Sequence, residues 1–228
     1  MRYIYCHPLF DERKCAHRFS YQLSKAFEKY DLQLERFDYR GTGEEEGQFC
    51  DVTMNSLRND LSKIIDGDKV CLIGTRFGAT LAFDYCCRSE SNVHTLVLVE
   101  PVVNGKTYTE YLFKKQRLKD LMTGNSSESL KNNCFYNLEG FKTNKQLIQQ
   151  VEQVQLNEAI HRIKVNGVFI VQISTSSRIN SEYELLTKLL LKNGIRFGVE
   201  IVNLPVFWER IPDGNYSMLS KYIMEWCR

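Results

Sequence analysis

The chain lacks a long apolar run, a strong charge imbalance and a nucleic-acid-binding patch. No stretch approaches the length that spans a bilayer, and the first residues have no basic and apolar leader, so we expect no membrane span and a cytoplasmic location. The net charge is only +2, and the lysines and arginines are spread along the chain. A nucleic acid or an acidic membrane surface is therefore not an expected partner.

The sequence also lacks the cysteine spacings of a metal site or a disulfide framework. It has 8 cysteines but no CxxC and no Cys/His pattern, and Cys6 and Cys71 lie inside apolar runs. The acidic run Glu44-Glu45-Glu46 has no histidine beside it and is typical of a solvated loop. We expect free thiols in a reducing compartment, no metal and no cofactor.

What is present is an alternation of strand-like and helix-like segments, in a chain of 228 residues that suits one domain. Apolar and β-branched runs predict six strands, at Tyr3–Cys6, Leu32–Phe37, Val70–Ile73, Thr95–Val99, Val168–Ile173 and Val199–Val202. Helical periodicity marks Cys15–Tyr30, Met54–Ile65, Gly78–Arg88, Glu182–Lys192 and Ser217–Trp226. The alternation predicts a mostly parallel six-stranded sheet with helices on both faces and functional loops at the strands' carboxyl ends.

One interval, residues 100–167, is too long for a plain crossover between two of these strands. It contains helix-like pieces and a polar stretch, at Tyr108–Met122, Gly124–Asn133, Asn144–Leu156 and Asn157–Lys164. We interpret residues 104–165 as a helical lid inserted into a single domain that covers residues 1–228.

The most informative segment is the turn from Gly74 to Gly78, which follows a predicted strand and precedes a predicted helix. Its layout resembles the G-x-S-x-G nucleophile elbow of α/β-hydrolases, with Arg76 at the position of the nucleophile. Two further loops resemble that superfamily: Asp38 to Glu44 after the second strand, and His7 to Phe10 after the first. In the latter loop a backbone N–H near Leu9 would complete an oxyanion hole with that of Phe77. The resemblance implies an α/β-hydrolase fold.

Several segments are similar to one family within that superfamily, the second hydrolase-like protein associated with exosortase systems in exopolysaccharide-producing bacteria. The shared features are a G-x-R-x-G-A elbow, a P-V-x-x-G stretch and an F-W pair. They correspond here to Gly74–Ala79, Pro101–Gly105 and Phe207-Trp208. The sequence departs from that family in Glu100 and in the His7-Pro8 loop. The resemblance implies a role beside a cell-surface assembly.

The residues of a serine triad are missing at their expected places. Arg76 cannot act as the nucleophile, because a guanidinium stays protonated at physiological pH. No histidine follows position 161, although the triad histidine comes after the last strand. The loop there offers Trp208, Glu209 and Asp213 instead, and the turn after Ile173 contains no acid. We therefore expect no ordinary serine-hydrolase activity.

Two hypotheses for Arg76 follow. In the first, it binds a carboxylate or phosphate of a ligand, in a pocket with Thr75, Phe77 and Leu9. In the second, it forms a salt bridge to Glu100 and fills the former catalytic centre. The two can coexist if Glu100 only orients the arginine.

Three other side chains are candidates for the same pocket. His7 lies at a strand end, where a structural role is the commoner one. Trp208 either stacks on a ligand or fills the space of the missing histidine. Arg117, in the basic stretch of the lid, either reaches an anionic ligand or lies on a solvated face.

The sequence leaves two classes of function open. The first is a protein that binds a small acyl or anionic molecule, or a partner, without catalysis. The second is an atypical hydrolase or acyltransferase that uses groups such as Glu100, His7 or a cysteine. A homodimer is among the assemblies we consider.

Overall fold

A computed structural model of the protein describes residues 1–88, 92–124, 134–210 and 214–228. It confirms the predicted sheet of six parallel strands, in the order β2-β1-β3-β4-β7-β8. The strands are β1 (Arg2–Cys6), β2 (Leu34–Arg36), β3 (Val70–Thr75), β4 (Val93–Val99), β7 (Gly167–Ile173) and β8 (Arg196–Val202). Every residue of β3 and β7 is buried, as expected of strands covered on both faces.

Outside residues 157–164, the helices lie where the periodicity predicts them, apart from their ends. They are α1 (Phe10–Glu28), α2 (Met54–Ile65), α3 (Phe77–Arg88), α4 (Gly105–Thr123), α5 (Lys145–Glu152), α6 (Leu156–Ala159), α7 (Ser181–Lys192) and α8 (Ser217–Cys227). The largest difference is in α1, which was predicted from Cys15 and begins at Phe10. Asp11 and Glu12 occupy its first turn, where negative charge suits the helix dipole.

The chain divides into two compact units. The first contains residues 1–37, 64–103 and 156–228, and it includes the whole parallel sheet. In its core, alternate strand residues such as Tyr5 and Ile73 pack against the apolar faces of α1 and α8. The intervening strand residues, such as Ile4 and Leu72, are fully buried on the opposite face.

The second unit contains residues 38–63 and 104–155. It holds α4, α5 and a feature that the sequence analysis missed, an antiparallel hairpin of β5 (Phe135–Leu138) and β6 (Phe141–Asn144). The hairpin turns at Glu139 and Gly140, both with positive φ (54° and 93°), the backbone that a two-residue hairpin turn requires.

The predicted lid segment, residues 104–165, therefore differs in its parts from the prediction. The helix predicted from Asn144 to Leu156 is shorter in the structure, where α5 begins at Lys145 and ends at Glu152. Residues 157–164 form the end of α6 and a short 3-10 turn, Ile160–Arg162, rather than a helix of their own. Of the polar stretch Gly124–Asn133, all but Gly124 lies outside the described residues. A lid function stays a prediction.

Among the residues that the structure describes, no helix combines the length and the apolar character needed to cross a membrane.

Candidate functional site

A tight turn from strand to helix lies at the carboxyl end of β3, where the sequence analysis placed the elbow. Arg76 stands alone between the end of β3 at Thr75 and the start of α3 at Phe77, with φ of 53°. Its amide donates to the carbonyl of Val99 at the end of β4, at 2.9 Å, which fixes the turn against the neighbouring strand. A non-glycine residue held in this backbone region carries strain on the order of 1–3 kcal/mol, which is typical of functional turns.

The two flanking glycines are required by close packing. A Cβ at Gly74 would overlap the backbone of Ala79, one turn into α3. A Cβ at Gly78 would overlap the carbonyl groups of Cys6 and His7. The start of α3 therefore lies directly against the end of β1, which is the arrangement that the glycine spacing of a nucleophile elbow allows.

The guanidinium of Arg76 is enclosed by three groups of the first unit. Its Nε and Nη2 atoms both lie 3.3 Å from Glu12 Oε1, and its Nη1 donates to the Glu100 carbonyl oxygen at 3.4 Å. The indole of Trp208 lies 5.0 Å from its central carbon, within cation–π range. Only 15% of the Arg76 side chain is exposed.

Arg76 thus forms an ion pair with Glu12, a residue that the sequence analysis did not name beside Glu100. Glu12 was missed because α1 was predicted to begin three residues after it. In the structure it sits in the first turn of α1 with 1% of its side chain exposed. A buried carboxylate needs a cation or several donors, and Arg76 supplies the cation. Whether this ion pair fills a former catalytic centre stays a prediction.

Glu100 is bonded elsewhere through its carboxylate. The Ile173 amide donates to Oε1 at 2.5 Å, and the Tyr183 hydroxyl lies 3.1 Å from Oε2. The same hydroxyl lies 3.0 Å from the Pro101 carbonyl oxygen. A phenol has one proton, so Tyr183 can donate to only one of these two acceptors at a time.

A proton on Glu100 would resolve this competition. Burial raises the pKa of Glu100, opposed by the Ile173 amide, the Arg76 charge and the Tyr183 hydroxyl. In the protonated state Glu100 would donate to Tyr183, and Tyr183 to the Pro101 carbonyl. The raised pKa of Tyr183, caused by burial and by Glu100, keeps the phenol protonated. Tyr183, in the first turn of α7, was not predicted from the sequence.

In the loop after the last strand, where the sequence analysis expected a triad histidine, an aromatic side chain contacts the elbow. Trp208 is 6% exposed, packs edge-on against Phe207 at 5.2 Å and lies over the Arg76 guanidinium. The two hypotheses for Trp208, stacking on a ligand and filling the space of a histidine, stay predictions. Glu209 is exposed, and Asp213 lies outside the described residues.

The remaining predicted site residues of the first unit are His7, Leu9, Thr75 and Phe77. His7 is 4% exposed and contacts the Tyr5 ring edge-on at 4.8 Å, and the Tyr5 hydroxyl donates to Thr75 Oγ1 at 2.9 Å. These contacts favour a structural role for His7. Leu9 and Phe77 lie at the amino-terminal ends of α1 and α3, as an oxyanion loop requires, and the meeting of their amides stays a prediction.

Arg117 belongs to the second unit, on an exposed position of α4. Its contact with an anionic ligand stays a prediction. Within the described ranges, no three His, Cys, Asp or Glu side chains cluster in a way that could hold a metal ion. A surface cleft of about 320 Å³ lies between α1 and α8, and none of the predicted site residues lines it.

No protein-family model matches the chain, and neither does any curated protein. Solved structures do. Est1E from Butyrivibrio proteoclasticus, bound to ferulic acid, superposes with a TM-score of 0.66 at 10% identity, over 98% of this chain and 86% of that one. The monoacylglycerol lipase of Paleococcus ferrophilus gives 0.59 at 14% identity, over 98% and 92%. Alpha/beta hydrolase domain-containing protein 10 from mouse gives 0.58 at 16%, over 98% and 88%.

These similarities establish that the chain has the α/β-hydrolase fold, as the three loop motifs implied. At such low identity the activities of the similar proteins do not transfer with the fold. The function therefore has to be argued from the residues at the elbow.

Proposed function

We propose that this protein is a non-hydrolytic member of the α/β-hydrolase fold, which uses its altered elbow to bind a small acyl or anionic molecule or a partner. The observation that carries the proposal is Arg76 itself. The apex of the elbow keeps its strained backbone, yet it presents a guanidinium that is paired with Glu12.

Serine-hydrolase chemistry needs a nucleophile that a histidine can deprotonate. Arginine offers neither nucleophilicity nor a removable proton at physiological pH. The tryptophan after β8 cannot accept a proton, because an indole N–H is only a donor. The groups that replace the triad support loss of the reaction rather than a rearranged triad.

A guanidinium suits recognition of carboxylate and other oxyanions, and the indole of Trp208 adds an apolar face for an acyl chain. The 15% exposure of the Arg76 side chain leaves part of it accessible to a small molecule. Glu12 would compete with an anionic ligand for the same cation. The proposal therefore predicts opposite effects of the two residues on binding.

The activity test uses a fluorophosphonate probe and short-chain p-nitrophenyl esters on the wild-type protein, Arg76→Ser and the double variant Arg76→Ser with Glu12→Gln. The double variant matters because serine alone would remove the Arg76 cation from beside the buried Glu12 carboxylate. We expect no labelling and no turnover in all three. Labelling or turnover by the wild-type protein would overturn the proposal.

The binding test uses butyrate and octanoate, followed by calorimetry. Arg76→Ala should weaken binding by tenfold or more, and Glu12→Gln should strengthen it, because the competing carboxylate is gone. Arg40→Ala is the matched control, since Arg40 pairs with Asp60 in the second unit with 46% of its side chain exposed. Equal affinities across all the variants would place any ligand elsewhere.

Glu100 supports the alternative of an atypical hydrolase or acyltransferase. A buried carboxyl with a raised pKa, bonded to a tyrosine, is suited to general acid catalysis. This alternative predicts ester turnover that Glu100→Gln abolishes and Arg76→Ala does not.

The similarity to exosortase-associated proteins adds the candidate partner class, a component of a cell-surface assembly, with the protein itself in the cytoplasm. It depends on the elbow, the P-V-x-x-G stretch and the F-W pair. Arg76 of the elbow and Trp208 of the F-W pair contact each other, so these two motifs contribute to one site. Whether the chain forms a homodimer is tested by its mass in solution.

A further inference from the structure

Two cysteines far apart in sequence meet in the core of the first unit. Cys71 Sγ lies 3.7 Å from Cys227 Sγ, across a separation of 156 positions. Cys71 is in the central strand β3 and is fully buried, and Cys227 is in the last turn of α8 and is 6% exposed. The two sulfurs are in van der Waals contact as thiols.

We propose that Cys71 and Cys227 form a covalent modification site, an oxidisable thiol pair that closes to a disulfide and fastens α8 to the central strand. The sulfurs need to approach by less than 2 Å to reach a bond of about 2.05 Å. The proposal is independent of the function proposed for the elbow.

The surroundings favour this pair over the other cysteines. Both residues belong to one apolar cluster, which also contains Tyr3 and Met224. The Tyr3 hydroxyl donates to the Cys227 carbonyl at 3.4 Å and holds the end of α8 over the sheet. Cys134, by contrast, is exposed on a different unit.

The two thiols differ in how they can react. The contact with Cys227, together with burial, holds the pKa of Cys71 well above its ordinary value, so Cys71 is a poor first nucleophile. Cys227 lies in a terminal helical turn, where fraying exposes side chains. Cys227 is therefore the residue that meets the oxidant.

With glutathione disulfide as the oxidant, the reaction has two balanced steps. The Cys227 thiolate attacks one glutathione sulfur, breaks the disulfide and releases one glutathione thiolate, leaving a mixed disulfide on Cys227. The Cys71 thiolate then attacks the Cys227 sulfur and releases the second glutathione. Two cysteine thiols are oxidised, one glutathione disulfide is reduced, and the two cysteine protons end on two glutathione thiols.

The test is a non-reducing peptide map. Reduced, folded protein is incubated with glutathione disulfide, its remaining thiols are alkylated, and it is digested with trypsin. Cys71 and Cys227 fall in the peptides Val70–Arg76 and Tyr222–Arg228, each with a single cysteine. We expect these two peptides to be linked, and the intact protein to lose two hydrogens in mass.

Cys227→Ala should abolish the link, and Cys71→Ala should do so as well. Cys86→Ala is the matched control, because Cys86 is equally buried but lies on α3, and it should leave the link intact. The same oxidation of the protein unfolded in urea shows which disulfides form when the cysteines pair at random. If Cys71→Ala does not fold, Cys227→Ala carries the test. No link in the folded protein, or a link of Cys71 to Cys6 instead, would overturn the proposal.

Discussion

Replacing Arg76 by alanine tests the role of the buried ion pair most directly. The substitution leaves the Glu12 carboxylate without its cation in a position where 1% of the side chain is exposed. Removing one partner of a buried pair costs about 3 to 5 kcal/mol, because the remaining charge has lost both water and its counter-ion. In a protein of this size each kcal/mol lowers Tm by about 2 to 4 °C, so we expect a drop of roughly 6 to 20 °C.

The reverse substitution is expected to cost less. Glu12→Gln removes the ion pair of Arg76, but 15% of that side chain is exposed and its Nη1 still donates to the Glu100 carbonyl. A cost of about 1 to 2 kcal/mol is the magnitude for a lost charged hydrogen bond. The double variant should be more stable than Arg76→Ala alone, because the glutamine removes the uncompensated charge.

Urea unfolding followed by circular dichroism measures all four proteins of this cycle. Arg76→Gly separates the backbone from the charge, since glycine adopts a φ of 53° without the steric penalty of about 1 to 2 kcal/mol and should exceed alanine in stability. Arg40→Ala, which breaks an exposed pair, should change stability little. A cost below 1 kcal/mol for Arg76→Ala, or no rescue by Glu12→Gln, would refute the argument.

Two further predictions concern Glu100 and Gly78. A carboxyl whose pKa is raised by folding favours the folded state at low pH and loses that contribution as pH rises through its pKa. Glutamine does not titrate, so the stability of Glu100→Gln relative to wild type should increase from pH 4.5 to pH 8 in thermal melts. Gly78→Ala should cost more than about 3 kcal/mol in urea unfolding, because its Cβ meets two backbone carbonyls that cannot move independently. A loss below 1 kcal/mol would mean that α3 shifts freely against β1.

The sheet and the elbow could be predicted because their signals are local. Continuous apolar runs such as Val70–Ile73 have no other stable place than a doubly covered strand, and the spacing of Gly74 and Gly78 is a steric necessity of a strand turning into a helix. The parallel direction of the strands could be predicted from their alternation with helices. These features need no knowledge of distant contacts.

The hairpin β5–β6 escaped prediction although its turn carries a local signal. Glu139-Gly140 between two aromatic-rich segments is a two-residue hairpin pattern, but the residues beyond it have helical periodicity. The sequence analysis placed helices at Tyr108–Met122 and Asn144–Leu156 and assigned no element to residues 134–143 between them.

The partners of Arg76 and Glu100 were unpredictable for a different reason. Glu12 and Tyr183 reach the elbow from helices that are distant in sequence, and each faces inward because of where its helix begins. An error of a few residues in the start of α1 turns a buried carboxylate into a loop residue. Helix starts are the least determined feature of a single sequence, so first-turn contacts are the ones most easily lost.

Single substitutions that would introduce a serine triad at the elbow are expected to destabilise the protein. A serine at position 76 would supply a nucleophile but remove the cation beside the buried Glu12 carboxylate, and the loop after β8 would still offer Trp208 and no histidine. A histidine in place of Trp208 alone would bring a second cationic group against Arg76. Each single step toward a triad is therefore expected to cost stability before it yields any hydrolysis. Arg76, Glu12 and Trp208 therefore stabilise one another, and this coupling supports a site whose function depends on the arginine.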